Sequence, residues 1–235
     1  MIQDIVTTNS IKCKINVPEG TNLPLLVFLH GIGEVGDNLK LVMRYGPLKQ
    51  LEDGIDIGPA KNWIIVHPQN PSSTWSVAEI DGVIEYCKST YSVNEDQIFL
   101  MGVSLGGLGV WTYAQSEHIK KLAAIVPICG GGNDPNKANV LVEEGIPGWA
   151  AHAENDPIVN YNITKRMVDA VNDLAGKSQI LFSEYGMFGH GAWNYFLRPE
   201  YRVYEWLKYQ KKSNRSNKTV EIIMSKGEQL TIKVI

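Results

Sequence analysis

Ser104 lies in the run Gly102-Val103-Ser104-Leu105-Gly106-Gly107, a G-x-S-x-G pattern. In a tight turn between a strand and a helix, its glycines let neighbouring backbone pass closely and leave the hydroxyl exposed at a helix N-terminus. The residues before it, Ile98-Phe-Leu-Met101, read as a strand, and those after it, with Leu108, Trp111 and Ala114, read as a helix. A hydroxyl is a poor nucleophile at neutral pH, so it needs a base, and the base needs an acid to orient it. Of the five histidines, His30, His67 and His152 close apolar strands, where a structural role is the ordinary reading, and His118 sits in a polar stretch. His190 differs: the glycine-flanked loop Phe188-Gly-His-Gly-Ala-Trp193 can carry an imidazole over the edge of a sheet. The acid should follow the preceding strand, Gly148 to His152. Asp156, ahead of the turn-setting Pro157, is the candidate, and Glu154 is its competitor.

A tetrahedral oxyanion needs two backbone N–H donors aimed at one point. Leu105, at the start of the helix, is one candidate, helped by the helix dipole. The other should come from the glycine-rich loop His30-Gly31-Ile32-Gly33-Glu34-Val35-Gly36-Asp37-Asn38, with Ile32 the first choice and Gly31 the alternative. No G-x-x-x-x-G-K-[ST] pattern makes this loop a P-loop phosphate cradle.

The elements that must position these residues follow from apolar patterning. Pro24 to His30, Trp63 to His67, Ile98 to Gly102, Leu122 to Ile128, Gly148 to His152 and Gln179 to Ser183 are nearly continuous apolar runs, as expected of strands covered on both faces. Between them, Ile80, Val83, Ile84 and Cys87 share a helical face, and so do Ile163, Met167, Val171 and Leu174. A third helix is expected from about Pro199 through Val203, Trp206 and Leu207. Strands alternating with helices imply an α/β sandwich built on a mainly parallel sheet, with Ile5 to Val17 laid antiparallel at its edge. Residues 211–218 read as a solvated linker, and the period-two pattern Val220, Ile222, Met224 and Leu230, Ile232, Val234 as a hairpin. The expected division is therefore a body over 1–210 and an extension over 211–235.

Composition narrows the function. The chain has 235 residues, 44% hydrophobic and 20% charged, enough for a sizeable core. With 22 basic against 25 acidic residues and a net charge of −3, it lacks the basic excess of a nucleic-acid binder. No apolar run reaches the length of a membrane span. The start, Met1-Ile-Gln-Asp, has no leader pattern, so the chain reads as cytoplasmic, or as secreted or periplasmic if a signal peptide was removed. Three scattered cysteines are too few for a disulfide framework or a zinc site; they leave room for one bridge, with reduced thiols the expected state.

On these residues the chain resembles esterase-type α/β-hydrolases, the group that includes feruloyl and acetylxylan esterases, polyhydroxybutyrate depolymerase-like proteins and predicted peptidases. The matching stretches are Leu29-His-Gly31 with its loop, Asp96-Gln-Ile98, Pro127 to Gly132, His152 to Val159 and Gly189-His-Gly-Ala-Trp193, spread across roughly residues 20–210. Ser104, Asp156 and His190 follow in that group's chain order. The resemblance implies a twisted, mostly parallel sheet with helices on both faces and no large cap. It implies a serine carboxylic-ester hydrolase working through an acyl-enzyme with no cofactor or metal. The implied substrate is a small acyl ester, such as an acetyl or feruloyl ester of plant polysaccharide. Trp75 and Trp193 are then candidate platforms for a sugar or cinnamoyl ring, and Glu34 and Asp37 could meet substrate hydroxyls. Leu105 and Ala153 depart from the Met and Gly frequent in such enzymes. A peptidase would share the triad. A dienelactone-type hydrolase usually carries Cys where Ser104 stands, and a non-catalytic binding module would typically have lost a triad member.

Overall fold

The computed structural model describes residues 1–132 and 134–215 with their side chains, and the backbone of residues 220–225 and 228–234. Eight strands form one sheet: β1 (Ile2–Val6), β2 (Lys12–Asn16), β3 (Leu23–Leu29), β4 (Ile64–Gln69), β5 (Val93–Val103), β6 (Ala124–Ile128), β7 (Gly148–Ala153) and β8 (Ile180–Tyr185). Their spatial order is β1-β2-β4-β3-β5-β6-β7-β8. β2 runs antiparallel to both of its neighbours, and every pairing from β4 onward is parallel. This is the α/β-hydrolase fold. Parallel neighbours need a crossover between them, and the crossovers carry α1 (Pro47–Glu52), α2 (Val77–Thr90), α3 (Leu105–Ala114), α4 (Ala138–Glu143) and α5 (Tyr161–Ala175). Two further helices, α6 (Trp193–Phe196) and α7 (Val203–Lys208), follow β8.

The nearly continuous apolar runs of the central strands are explained by two cores, one on each face of the sheet. Leu25, Val27 and Leu29 of β3 and Ile98 and Leu100 of β5 pack with Ile80 and Ile84 of α2, Val110 of α3 and Met167 and Val171 of α5. Leu26, Phe28, Phe99 and Met101, one residue out of phase, pack instead with Leu48, Phe196, Trp206 and Leu207. Successive strand residues therefore serve opposite layers. Each fully buried side chain of this size contributes about 1.5–3 kcal/mol. Cys13 and Cys87 belong to the first core and Cys129 to the second, and all three are free thiols.

Helix ends follow the local sequence. Ser76 and Glu79 close a capping box at the start of α2, and α5 runs from the Asn160 cap to Gly176 at φ 63. The helix expected from Pro199 is shorter: Pro199–Tyr201 form a 3-10 turn, Arg202 at φ 53 breaks the spiral, and α7 starts at Val203. Residues 211–215 depart from a solvated linker. The Ser213 N–H and hydroxyl both donate to the Asp96 carboxylate at 2.7 Å, and the Arg215 guanidinium donates to the Lys120 and Leu122 carbonyls. β9 (Val220–Ser225) and β10 (Glu228–Val234) pair antiparallel as a separate two-stranded sheet, with Ile222 opposite Ile232 and Val220 opposite Val234. Lys226-Gly227, between the two strands in sequence, lie outside the described residues.

Candidate active site

The carboxyl edge of a parallel sheet is where chain ends from several strands converge, and the site is built there from the ends of β3, β5, β7 and β8. At the end of β5 the backbone turns sharply into α3. Ser104 is the hinge, at φ 54 and ψ −117, a conformation that costs an L-residue about 1–3 kcal/mol. The Ser104 N–H donates to Ile128 O at 2.8 Å, which fixes the turn against β6. Gly106 is required there because a Cβ on it would run into the Leu29 carbonyl.

The three residues proposed from chain order meet in one hydrogen-bonded series. His190 Nε2 lies 2.7 Å from Ser104 Oγ, and His190 Nδ1 lies 2.7 Å from Asp156 Oδ2. The Asp156 side chain is fully buried and that of His190 is 20% exposed, so the series runs from the interior to solvent. Asp156 Oδ1 accepts from the Ile158 and Val159 N–H groups at 2.8 and 3.0 Å. Burial alone would raise this carboxyl, but the His190 bond and the two N–H groups outweigh it and hold it below the ordinary carboxylate range. Glu154, the competitor, is exposed, and its N–H donates to Tyr185 O. The loop that carries His190 is shaped by Phe188 at φ 94 and Gly189 at φ 55, and the Gly189 N–H donates to Asn155 Oδ1 at 2.9 Å.

Leu105 opens α3 and Ile32 opens the 3-10 turn Ile32–Glu34, so the N–H of each has no acceptor inside its own helix. The loop is held from below. His30 Nδ1–H donates to Gly31 O at 2.7 Å, and His30 Nε2 accepts from the Asn70 N–H at 2.9 Å. Gln69 Nε2 donates to the Glu34 and Asn38 carbonyls.

Two of the expected substrate contacts are corrected. Trp75 is 4% exposed: its indole N–H donates to His30 O at 3.2 Å and its ring packs edge-on against His30. It is a strut under the loop and offers no face to a substrate. Glu34 is also buried, at 5% exposure, with Arg44 3.4 Å from Oε1. Burial raises its carboxyl despite Arg44 and the Gly31 N–H, and it serves the loop's interior instead of presenting to substrate hydroxyls. Asp37 is paired with Lys12 at the surface. Trp193, in contrast, stands edge-on to His190 with ring centroids 5.2 Å apart and lines a cleft of about 280 Å³ together with Tyr45 and Arg198.

Sequence reasoning missed His152, whose Nε2 lies 3.0 Å from Asp156 Oδ2. Its only signal was the i, i+4 spacing to Asp156 across a turn. Cys129, His152 and Asp156 bring ligand-type atoms within 4.8 Å of one another. Both His152 nitrogens and both Asp156 oxygens already have partners, however, and burial pushes the Cys129 thiol up to about 12.

Comparison with known proteins agrees with this fold. No family model matches the chain. A bifunctional acetylxylan esterase/xylanase of Neocallimastix patriciarum is 25% identical over 148 residues, covering 60% of this chain and 20% of that protein. The crystal structure of a thermostable esterase superposes with a TM-score of 0.73 at 26% identity, over 90% of this chain and 63% of that one. An acylaminoacyl peptidase of Pyrococcus horikoshii superposes at a TM-score of 0.62 and 13% identity, over 90% of this chain and 42% of that one, a likeness of fold. The chain thus spans a fifth of the curated relative and under two thirds of the esterase. The fold is that of the α/β-hydrolases, and the resemblance to their esterase branch, first carried by the sequence, holds in these matches.

Proposed function

We propose that this chain is a serine carboxylic-ester hydrolase. The observation that carries the reading is the series Asp156–His190–Ser104, bonded at 2.7 and 2.7 Å, with the serine on a strained strand-to-helix turn. Ser104 Oγ attacks the ester carbonyl while His190 Nε2 takes its proton. Asp156 keeps the Nδ1–H tautomer and supports the imidazolium. The Leu105 and Ile32 N–H groups receive the oxyanion, each such donor being worth about 10²–10³ in rate. His190 then protonates the departing alkoxide. Water, giving a proton to the same nitrogen, attacks the acyl-enzyme and releases the acid and Ser104.

For the substrate we infer a small acyl group, acetyl or feruloyl, on a bulky alcohol such as plant polysaccharide. The acetylxylan esterase among the relatives supports this. So does the connection from β6 to β7, residues 129–147, where the elements among the described residues are a 3-10 turn and α4, too little for a cap over Ser104. Trp193 and Tyr45 in the adjoining cleft supply aromatic surface for the alcohol side.

The test is covalent. A fluorophosphonate should add once, at Ser104, by intact mass and peptide mapping, and Ser104→Ala should lower hydrolysis of a simple activated ester by at least about 10⁴-fold in a folded protein. Turnover retained by folded Ser104→Ala sinks the assignment. Methyl ferulate, acetylated xylan and a peptide ester compared side by side then separate the esterase from a peptidase. Absence of any adduct on the folded chain would favour a binding module.

A further inference from the structure

Asp156 Oδ2 serves two imidazoles. Besides His190 at 2.7 Å, it meets His152 Nε2 at 3.0 Å, and His152 is wholly buried. The second ring is held from several sides. Its Nδ1 lies 2.8 Å from Thr164 Oγ1 of α5, whose hydroxyl lies 2.7 Å from Gly130 O, and its Nε2 also lies 3.1 Å from Val159 O. Both partners of Nε2 are pure acceptors, so that nitrogen carries a proton and donates. With Oδ1 taken by the Ile158 and Val159 N–H groups, every bond to the carboxylate but the one from His190 comes from the loop after β7 and the strand's last turn.

We propose that His152 is a positioning residue for the hydrolytic reaction: its Nε2–H fixes Asp156 Oδ2 and divides that carboxylate's charge between two imidazoles. This rests on the Asp156–His190–Ser104 reading given above. A carboxylate that already receives one N–H stabilises a second, neighbouring imidazolium less. His152 thereby sets how much of the carboxylate's charge is left to His190. The other titratable groups around the pair are few. From the end of β6 comes the Cys129 thiol, kept protonated by burial. From α5 comes Tyr161, edge-on to His152 at 6.0 Å, with its hydroxyl bonded to Glu184 of β8. From the loop after β8 comes His190 itself.

Removing the donor leaves the full charge of Asp156 to His190, favours the imidazolium and moves the acid limb of reactivity to higher pH. The experiment follows the rate of fluorophosphonate inactivation against pH, which needs no knowledge of the substrate. His152→Leu, close in volume, should shift the acid limb up by about half to one pH unit. His152→Gln, whose amide nitrogen can reach Oδ2, should bring it back toward the wild-type position. Thr164→Val, which leaves His152 without its Nδ1 partner, should shift it in the same sense by less. KM for 4-nitrophenyl acetate should stay within about twofold throughout, since no substrate contact is removed.

A merely structural role would lower the unfolding midpoint and leave the limb where it is. Acid limbs that coincide within about 0.2 unit among the folded variants overturn the proposal. If His152→Leu fails to fold, the Gln and Val variants decide in the same way. Failure of the underlying reading looks different: wild-type protein with no Ser104 adduct at any pH removes the triad and this proposal together, whereas labelled wild type with an unmoved limb removes His152 alone.

Discussion

The loops after β3 and β7 each begin at a buried histidine, and the two histidines do different things. His30 meets one acceptor, Gly31 O, and one donor, the Asn70 N–H, which is the set a neutral ring requires. Burial lowers its proton affinity and nothing charged opposes this. His152 faces a carboxylate: burial lowers its proton affinity too, but Asp156 pulls the other way. The first ring holds a backbone shape, and the second is tied to the carboxylate that also meets His190. The same residue type near the end of a strand thus has a different setting according to whether its second nitrogen meets an amide or a carboxylate.

The largest effect that would break or sharpen this comparison lies after β7. Asp156→Asn should lower kcat on an activated ester by about 10⁴-fold, because the amide favours the wrong His190 tautomer; the check is steady-state kinetics on protein shown to be folded. Under the β3 loop the cost should fall on stability. Trp75→Ala removes a buried indole and its bond to His30 O, and should cost about 3–5 kcal/mol in urea unfolding. Were Trp75 a substrate platform instead, KM would rise with little loss of stability.

The smallest effect is graded with pH. His67, beside β3, donates from Nδ1 to Val42 O, accepts from the Leu48 N–H, and is lowered by burial to about 3. The unfolded chain takes up this proton near pH 6.5, while the folded chain does not until far lower, so stability is full above that value and falls as the pH drops. Each such histidine should contribute a slope of about 1.4 kcal/mol per pH unit below 6.5. His67→Gln should flatten the curve measured by unfolding between pH 7 and 4. Asp156, also lowered, adds its loss only below the ordinary carboxylate range.

Much of this was legible in residue order, for physical reasons. Continuous apolar runs announced the strands of a sheet covered on both sides, and G-x-S-x-G between a strand and a helix announced the Ser104 turn. Asp156 and His190 could be picked because each sits in a loop of turn-forming residues, and the structure joins both to Ser104. Burial was not legible. Trp75 and Glu34 lie in loop-like sequence, and nothing local says that one is folded under His30 and the other under Arg44. α1, α4 and α6 are too short to show periodicity. Arg202 at φ 53 cut a helix that its neighbours would have continued. His152 looked like any strand-end histidine, because its partner depends on how the next four residues turn back.

The three thiols give the molecule its own record of opening. Burial pushes Cys13 upward and Cys87 and Cys129 up to about 12, so none offers a thiolate to an alkylating reagent while the chain is closed. Cys13 and Cys87 sit in one layer of the sandwich and Cys129, at the end of β6, in the other. The order in which they become modified therefore tells which side of the sheet parts first. A chain that loosened only around Asp156 would mark itself at Cys129 and nowhere else.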